Sequence, residues 1–197
     1  MGNRSLDLYR ASYVAPSKQG LNVAFIGLDH AGKIACAEYM RRKLSFKRME
    51  LREGLVHFLR TSRGYHSHFK MGLDEIMRYY DAIYKLDNDL FLEHFKRRFN
   101  KVENDVVVSD IRYLNELRAL QELGFIIVRV TVPHGSLVSR KVGNAATDTV
   151  ILSILYDREF ANNYNVDYNV EYTSISRLEA LINPILEQNG YKFDKAT

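Results

Sequence analysis

The sequence predicts an α/β fold: three layers, α/β/α, around a mostly parallel five-stranded sheet with a small lid. Three observations predict it. Short apolar runs, "LNVAFIG" at 21–27, "DVVVSD" at 105–110 and "FIIVRVTV" at 125–132, read as buried strands. Stretches with helical spacing separate them, and such alternation places helices on both faces of a parallel sheet. At 197 residues and 46% hydrophobic composition the chain is long enough to bury a core. One domain over 21–197 is expected behind a flexible polar leader, 1–20.

After the first strand, "AGKIACAEYMRRKL" carries helix formers. Ile34, Ala35, Tyr39 and Met40 fall near one stripe, and Arg41, Arg42 and Lys43 suit the negative end of the helix dipole. "SFKRMEL" holds a short strand. "ELREGLVHFLRTSR" repeats Leu51, Leu55, Phe58 and Leu59 at helical spacing. Residues 73–99 read as two helices broken at Asp87 or Asn88, residues that favour caps. The tyrosines at 79, 80 and 84 keep the same helical period, which assigns them to packing rather than to base stacking. "YLNELRALQELG" is a helix closed by Gly124. "DYNVEY" is a weaker strand, and "SISRLEALINPILEQNG" is a closing helix that begins at a Ser cap and bends at Pro184. The stretch 134–164 interrupts the alternation and carries Arg140 and Lys141; it is expected to form the lid.

Composition narrows the partners. The net charge of +4 spreads Lys and Arg among 24 acids, so phosphates are suitable partners while a nucleic-acid interface is not favoured. The basic "HFKRRF" reads as a solvated, dipole-favoured helix end. A single cysteine, Cys36, precludes a disulfide within the chain and points to a reducing interior. The start lacks a secretory apolar run, and Leu6 breaks the myristoylation pattern. No apolar run approaches the ~18 residues of a membrane span. The expected location is cytoplasm, including that of an infected host cell, with no membrane contact. A homodimer stays open. His66 and His68 have the look of metal ligands but lack accompanying acids or cysteines.

Two constellations carry chemistry. The first is Gly27, four residues, Gly32 and Lys33, between a strand and a helix. This is the spacing of a phosphate-binding loop. Few Cβ atoms let backbone N–H groups converge on an anion, and the helix N-terminus adds positive partial charge. The expected cradle is Gly27, Asp29, His30, Ala31, Gly32, Lys33, Ile34 and Ala35, although for Asp29 and His30 a solvent-facing role is slightly favoured over a catalytic one. The hydroxyl that normally comes after the lysine and holds Mg²⁺ is replaced by Ile34, and the soft sulfur of Cys36 is a poor substitute. The alternative is a plain glycine turn with a solvated lysine. The second constellation is "VVVSDIRYLNE". Asp110, at the tip of a strand, is a candidate metal or water ligand, and Arg112 a bidentate anion clamp. The alternatives are a helix cap for Asp110 and a surface salt bridge for Arg112. Asn115 and Glu116 open the next helix, where acids suit the dipole.

The segment "NDVVVSDIRYLNELRALQELGFIIVRVTVP", 104–133, resembles the centre of the viral and bacterial deoxynucleoside monophosphate kinases, a P-loop kinase family. Ser109, Asp110, Arg112, Asn115, Glu116 and Gly124 carry the likeness. It extends more faintly over most of 21–190. It implies a P-loop kinase-like fold, ATP and Mg²⁺ as cofactors, and a nucleoside monophosphate as substrate. Lys33, Asp110, Arg112 and the lid residue Arg140 would be catalytic; Arg52, Arg78 and Arg112 would grip the acceptor; Asp110 would place metal. The chain departs from the family at Ile34 and Ala35, where an Asp-Thr pair is usual, and near Asp81 and Tyr84. A weakened nucleotide-binding or structural relative, and a kinase of modified bases in DNA, are the rival functions.

Overall fold

A computed structural model describes residues 20–28, 31–62, 73–133 and 165–193. Residues 1–19 of the leader, the lid stretch 134–164 and His66 and His68 lie outside the described residues. Five strands form one sheet: β1 (Asn22–Ile26), β2 (Lys47–Arg48), β3 (Val106–Val108), β4 (Ile126–Thr131) and β5 (Tyr168–Glu171). Their order is β2-β3-β1-β4-β5, and every pairing among them is parallel. The helices between are α1 (Lys33–Lys43), α2 (Glu53–Ser62), α3 (Leu73–Leu86), α4 (Leu90–Phe99), α5 (Leu114–Glu122) and α6 (Leu178–Gln188).

β1 is buried along its whole length because it is central and covered on both faces. Its period of two sorts the core into layers. Val23 and Phe25 face Met40 of α1 and Ile182 and Leu186 of α6. Ala24 and Ile26 face Phe95 and Phe99 of α4 and Leu117 and Leu120 of α5. A third cluster, Leu55, Leu59, Tyr80 and Phe91, joins α2, α3 and α4 beside the sheet.

Three expectations need correction. The buried stripe of α1 is Cys36, Ala37 and Met40, while Ile34 stands 55% exposed. Its position in the first turn faces outward from the sheet, so its apolar side chain has no layer to join. In α2, Leu55 and Leu59 pack inward, but Phe58 is 55% exposed, because the buried face keeps to the i, i+4 row. The last helix is preceded by a 3-10 turn, Ile175–Arg177, and the Ser174 hydroxyl pairs with that of Ser176 at 3.0 Å instead of capping an amide. The helix itself runs on through Pro184.

The reversal of strand order around β1 opens a crevice at the carboxyl ends of β1 and β3. Gly27 leaves β1 at this point with φ 140, and a Cβ placed on it would lie 2.2 Å from the carbonyl oxygen of Val130 in β4. Gly124, closing α5 with φ 78, has nothing within 4 Å of its Cβ direction. Gly27→Ala is therefore expected to cost about 3 kcal/mol or more, since a backbone atom must move as well as a dihedral. Gly124→Ala costs about 1 kcal/mol, from conformation alone. Urea denaturation of both variants checks the difference; equal losses would refute it.

Candidate functional site

The first wall of the crevice is the loop from Gly27 to Lys33. Gly32 adopts φ 104 and packs so tightly that an added Cβ would sit 2.4 Å from the ring of Tyr172, just past β5. Ala31 is buried, and its N–H donates to the Leu28 carbonyl at 3.1 Å. Lys33 Nζ donates to the carbonyls of Gly27 and Leu28, the latter at 2.8 Å. The ammonium thus lies over the loop. The Cys36 N–H closes the first helical bond onto Gly32 O at 3.0 Å, so the amides of Ile34 and Ala35 precede the helical ladder. No acidic side chain occupies this first turn. The positive end of α1 is therefore uncompensated by its own turn, which suits an anion. Asp29 and His30 lie outside the described residues.

The second wall is the tip of β3 with the turn that enters α2. Asp110, expected to present its carboxylate to the crevice as a metal ligand, turns it elsewhere. Its Oδ1 accepts the Leu51 N–H and its Oδ2 the Arg52 N–H, each at 3.1 Å. The side chain is only 7% exposed. The carboxylate thus braces the turn ahead of α2 and caps neither α2 nor α5. Burial, with the nearby charge of Glu50, outweighs Arg52 and the two amides and pushes the carboxyl up to about 6. Arg52 lies beside it, its Nε 4.0 Å from Asp110 Oδ2 and 3.0 Å from Glu50 Oε2. No described residue takes the two terminal nitrogens of Arg52 as hydrogen-bond donors.

The third wall runs from Arg112 to Glu116. Arg112 forms a two-pronged ion pair with Asp81 of α3, Nε to Oδ1 at 3.1 Å and Nη2 to Oδ2 at 3.2 Å. The Tyr113 hydroxyl donates to the same carboxylate. Glu116 stands in the first turn of α5, as expected of a dipole-favoured acid, and it is buried. Its Oε2 accepts the N–H groups of Arg112 and Tyr113 at 2.7 and 2.8 Å, and its Oε1 accepts the Tyr80 hydroxyl. Burial is the largest influence on it and pushes the carboxyl up to about 7 against these three bonds. Four rings stack in a column here. Between ring centres, Tyr84 lies 3.5 Å from Tyr113, Tyr113 lies 6.1 Å from Tyr80, and Tyr80 lies 4.6 Å from Phe91. The packing role expected of Tyr80 is met, since it is almost wholly buried. Arg78 stands at an exposed position of α3, and Arg140 lies outside the described residues.

Sequence reasoning brings Lys33, Arg52, Asp110 and Arg112 forward. It misses Glu50 and Tyr172, and it reads Asp81 only as a departure. Asp81 lies one helical turn before Lys85 and 31 residues before Arg112, a pairing that only the packing of α3 against the β3 tip creates. The burial of Met49 and Leu51 on either side of Glu50 is the available signal for a side chain held at the site.

The described residues do not fit an inner-sphere Mg²⁺ site. Ile34 offers no oxygen, and Asp110 has both oxygens engaged by amides. Cys36 is fully buried, its thiol pushed by burial up to about 12. Among the described residues no cluster of three metal-ligating side chains occurs. The loop fits a polyphosphate better: its bend is pressed onto β4 and Tyr172, and the α1 amides stand ahead of the helical ladder.

Among solved structures, the chain is similar to shikimate kinase from Aquifex aeolicus vf5, with TM-score 0.57 and 14% identity over 86% of this chain and 98% of that one. It is also similar to shikimate kinase from Bacteroides thetaiotaomicron, with TM-score 0.54 and 13% identity over 87% and 99%. TT1252 from Thermus thermophilus gives TM-score 0.59 and 11% identity over 88% and 99%. The fold is accordingly the three-layer α/β architecture of P-loop kinases. No protein-family model and no curated protein matches the chain. Among the described residues no helix is long and apolar enough to cross a membrane.

Both raised carboxyls favour their protonated forms in the fold. The stability they contribute is fully present below their ordinary values of 3.8 and 4.5. It is lost as pH rises through about 6 for Asp110 and about 7 for Glu116. Glu116→Gln keeps an oxygen for the two amides and removes one titration. Its loss of stability between roughly pH 4 and 7 is expected to be shallower than that of wild type, measured by urea denaturation across that range. An unchanged slope would rule out Glu116 as a contributor.

Proposed function

We propose that the protein transfers the terminal phosphoryl group of ATP to a nucleoside monophosphate, giving the diphosphate. The observation that carries this reading is the posture of Arg52. Its Nε is braced by Glu50, and its two terminal nitrogens, unclaimed among the described residues, form a fork suited to an oxyanion. Arg52 follows the edge strand β2, which pairs with β3, and β3 pairs with β1, the strand that leads into the glycine loop; both candidate anion sites therefore follow the carboxyl ends of nearby parallel strands. The likeness of 104–133 to the deoxynucleoside monophosphate kinases supports a deoxynucleotide as acceptor.

Charge and position assign the roles. The loop from Gly27 to Lys33 and the first amides of α1 hold the donor phosphates, and the Lys33 ammonium exchanges loop carbonyls for phosphate oxygens. ATP supplies the transferable phosphoryl group. Arg52 grips the acceptor phosphate, with Arg78 at the exposed rim. Arg112, steadied by Asp81, and Arg140 of the expected lid offset charge on the transferring group. Asp110 keeps the Arg52 turn in place. No chain oxygen among the described residues is assigned to Mg²⁺.

The test is incubation with ATP, Mg²⁺ and each ribo- and deoxynucleoside monophosphate, with diphosphate as readout. Lys33→Ala is expected to lower turnover on the order of 10²-fold or more. Arg52→Ala is expected to raise the acceptor KM roughly tenfold or more, with less effect on the KM for ATP. Equal turnover in wild type and Lys33→Ala would overturn the proposal.

The outward-facing Ile34 favours a second reading: a P-loop protein that binds nucleotide with weakened catalysis. On that reading ATP binds but no acceptor turns over. Ile34→Thr, which restores the hydroxyl after the lysine, then produces measurable Mg²⁺-dependent turnover. Strong wild-type turnover that Ile34→Thr leaves unchanged would remove this alternative.

A further inference from the structure

We propose that Glu50 is the positioning residue for Arg52: it fixes the guanidinium through Nε so that both terminal nitrogens point to an acceptor oxyanion. The inference rests on the reading of Arg52 as the acceptor clamp. Glu50 divides its two oxygens between two arginines. Oε2 takes Arg52 Nε at 3.0 Å, and Oε1 takes Arg48 Nη2 at 2.7 Å. Arg48 in turn reaches Glu38 of α1, Nη1 to Oε1 at 2.8 Å, and Glu38 is held from its own helix by Arg41 and Arg42. One alternating chain of charges therefore runs from the helix after the glycine loop, across the edge strand β2, to Arg52.

The backbone at Glu50 is fixed on both sides. Met49 and Leu51 are fully buried, and Met49 N–H donates to Val107 O at 3.0 Å. A carboxylate on such a backbone has little freedom to track the arginine, so the arginine tracks it. An arginine free on three sides loses rotamer entropy when it closes on an anion; one already anchored at Nε has lost much of it beforehand. Asp110 alone cannot supply this anchor. Its oxygens are taken by the Leu51 and Arg52 amides, and it stands 4.0 Å from Arg52 Nε. Glu50→Gln keeps the shape but removes the charge and sets an amide against Arg48 or Arg52.

Two readouts test the proposal. In the first, acceptor and ATP KM values are measured for wild type, Glu50→Gln, Glu50→Asp, Arg52→Ala and the double variant Glu50→Gln/Arg52→Ala. Glu50→Gln is expected to raise the acceptor KM roughly tenfold while the ATP KM stays within about twofold, and Glu50→Asp to recover part of the loss. In the Arg52→Ala background Glu50→Gln should add nothing, because the group it positions is gone. In the second, the side-chain Nε–Hε signal of Arg52, assigned with Arg52→Lys in ¹⁵N-arginine protein, is monitored during titration with inorganic phosphate. Wild type should shift, and Glu50→Gln should need roughly tenfold more phosphate. The proposal is overturned if Glu50→Gln carries the same penalty with and without Arg52, if it leaves acceptor KM and phosphate affinity unchanged, or if the wild-type Arg52 signal ignores phosphate. Should no nucleotide turn over while the Arg52 signal still responds and Glu50→Gln weakens the response, the kinase reading falls and the positioning role stands.

Discussion

The site depends on one interaction: the Asp110 carboxylate reaching across from the tip of β3 to two amides of the turn that opens α2. β2 is only two residues long and lies at the sheet edge, so its own ladder is a weak tether for the turn beyond it. The carboxylate supplies the missing constraint. Its two charge-assisted bonds are each worth on the order of 1.5–3 kcal/mol, against a burial penalty of several kcal/mol for the ion. The two are close enough that the carboxyl stays ionisable near neutrality. What the arrangement secures is placement: the backbone of Arg52 cannot drift while Asp110 holds its N–H.

Glu116 repeats the device further along the chain. A carboxylate from the first turn of α5 bends back onto the amides of Arg112 and Tyr113. Each arginine of the crevice thus has its backbone held by one buried carboxylate and its side chain by a more exposed one, Glu50 for Arg52 and Asp81 for Arg112. Four acids organise two bases: the buried pair bonds to backbone amides, and Glu116 also to the Tyr80 hydroxyl, rather than to the guanidinium groups. The fold delivers this because β3 and α5 follow one another in the chain, while α2, α3 and α4 share one cluster that Tyr113 joins.

The layers are legible in the sequence because their signal is local. A β-branched run bounded by polar residues specifies a strand wherever it occurs, and the strand-turn-helix at Gly27 announces its own bend. The core side of α1 is easily misread, since Cys36 and Ala37 look weaker than Ile34, yet small residues are what a helix needs to lie close to the sheet. The role of Asp110 is ambiguous for a different reason. A carboxylate at a strand tip has the same sequence whether it meets a cation or two amides, and the partners lie 58 and 59 residues away. Neither sequence reading of Asp110, metal ligand or helix cap, describes the observed contacts, which brace a turn from a distant strand tip; the salt-bridge reading of Arg112 describes its pair with Asp81. The Asp81–Arg112 and Glu38–Arg48 pairs carry no sequence period, so only the tertiary packing reveals them.

Cys36 has a consequence of its own. It is the sole thiol in the chain, fully buried in the first turn of α1, and held in its unreactive protonated form. Alkylating reagents attack the thiolate, so they reach this sulfur only when α1 parts from the sheet. Its modification rate therefore acts as a built-in clock for the opening of the central layer, one event per molecule, with no engineered probe required.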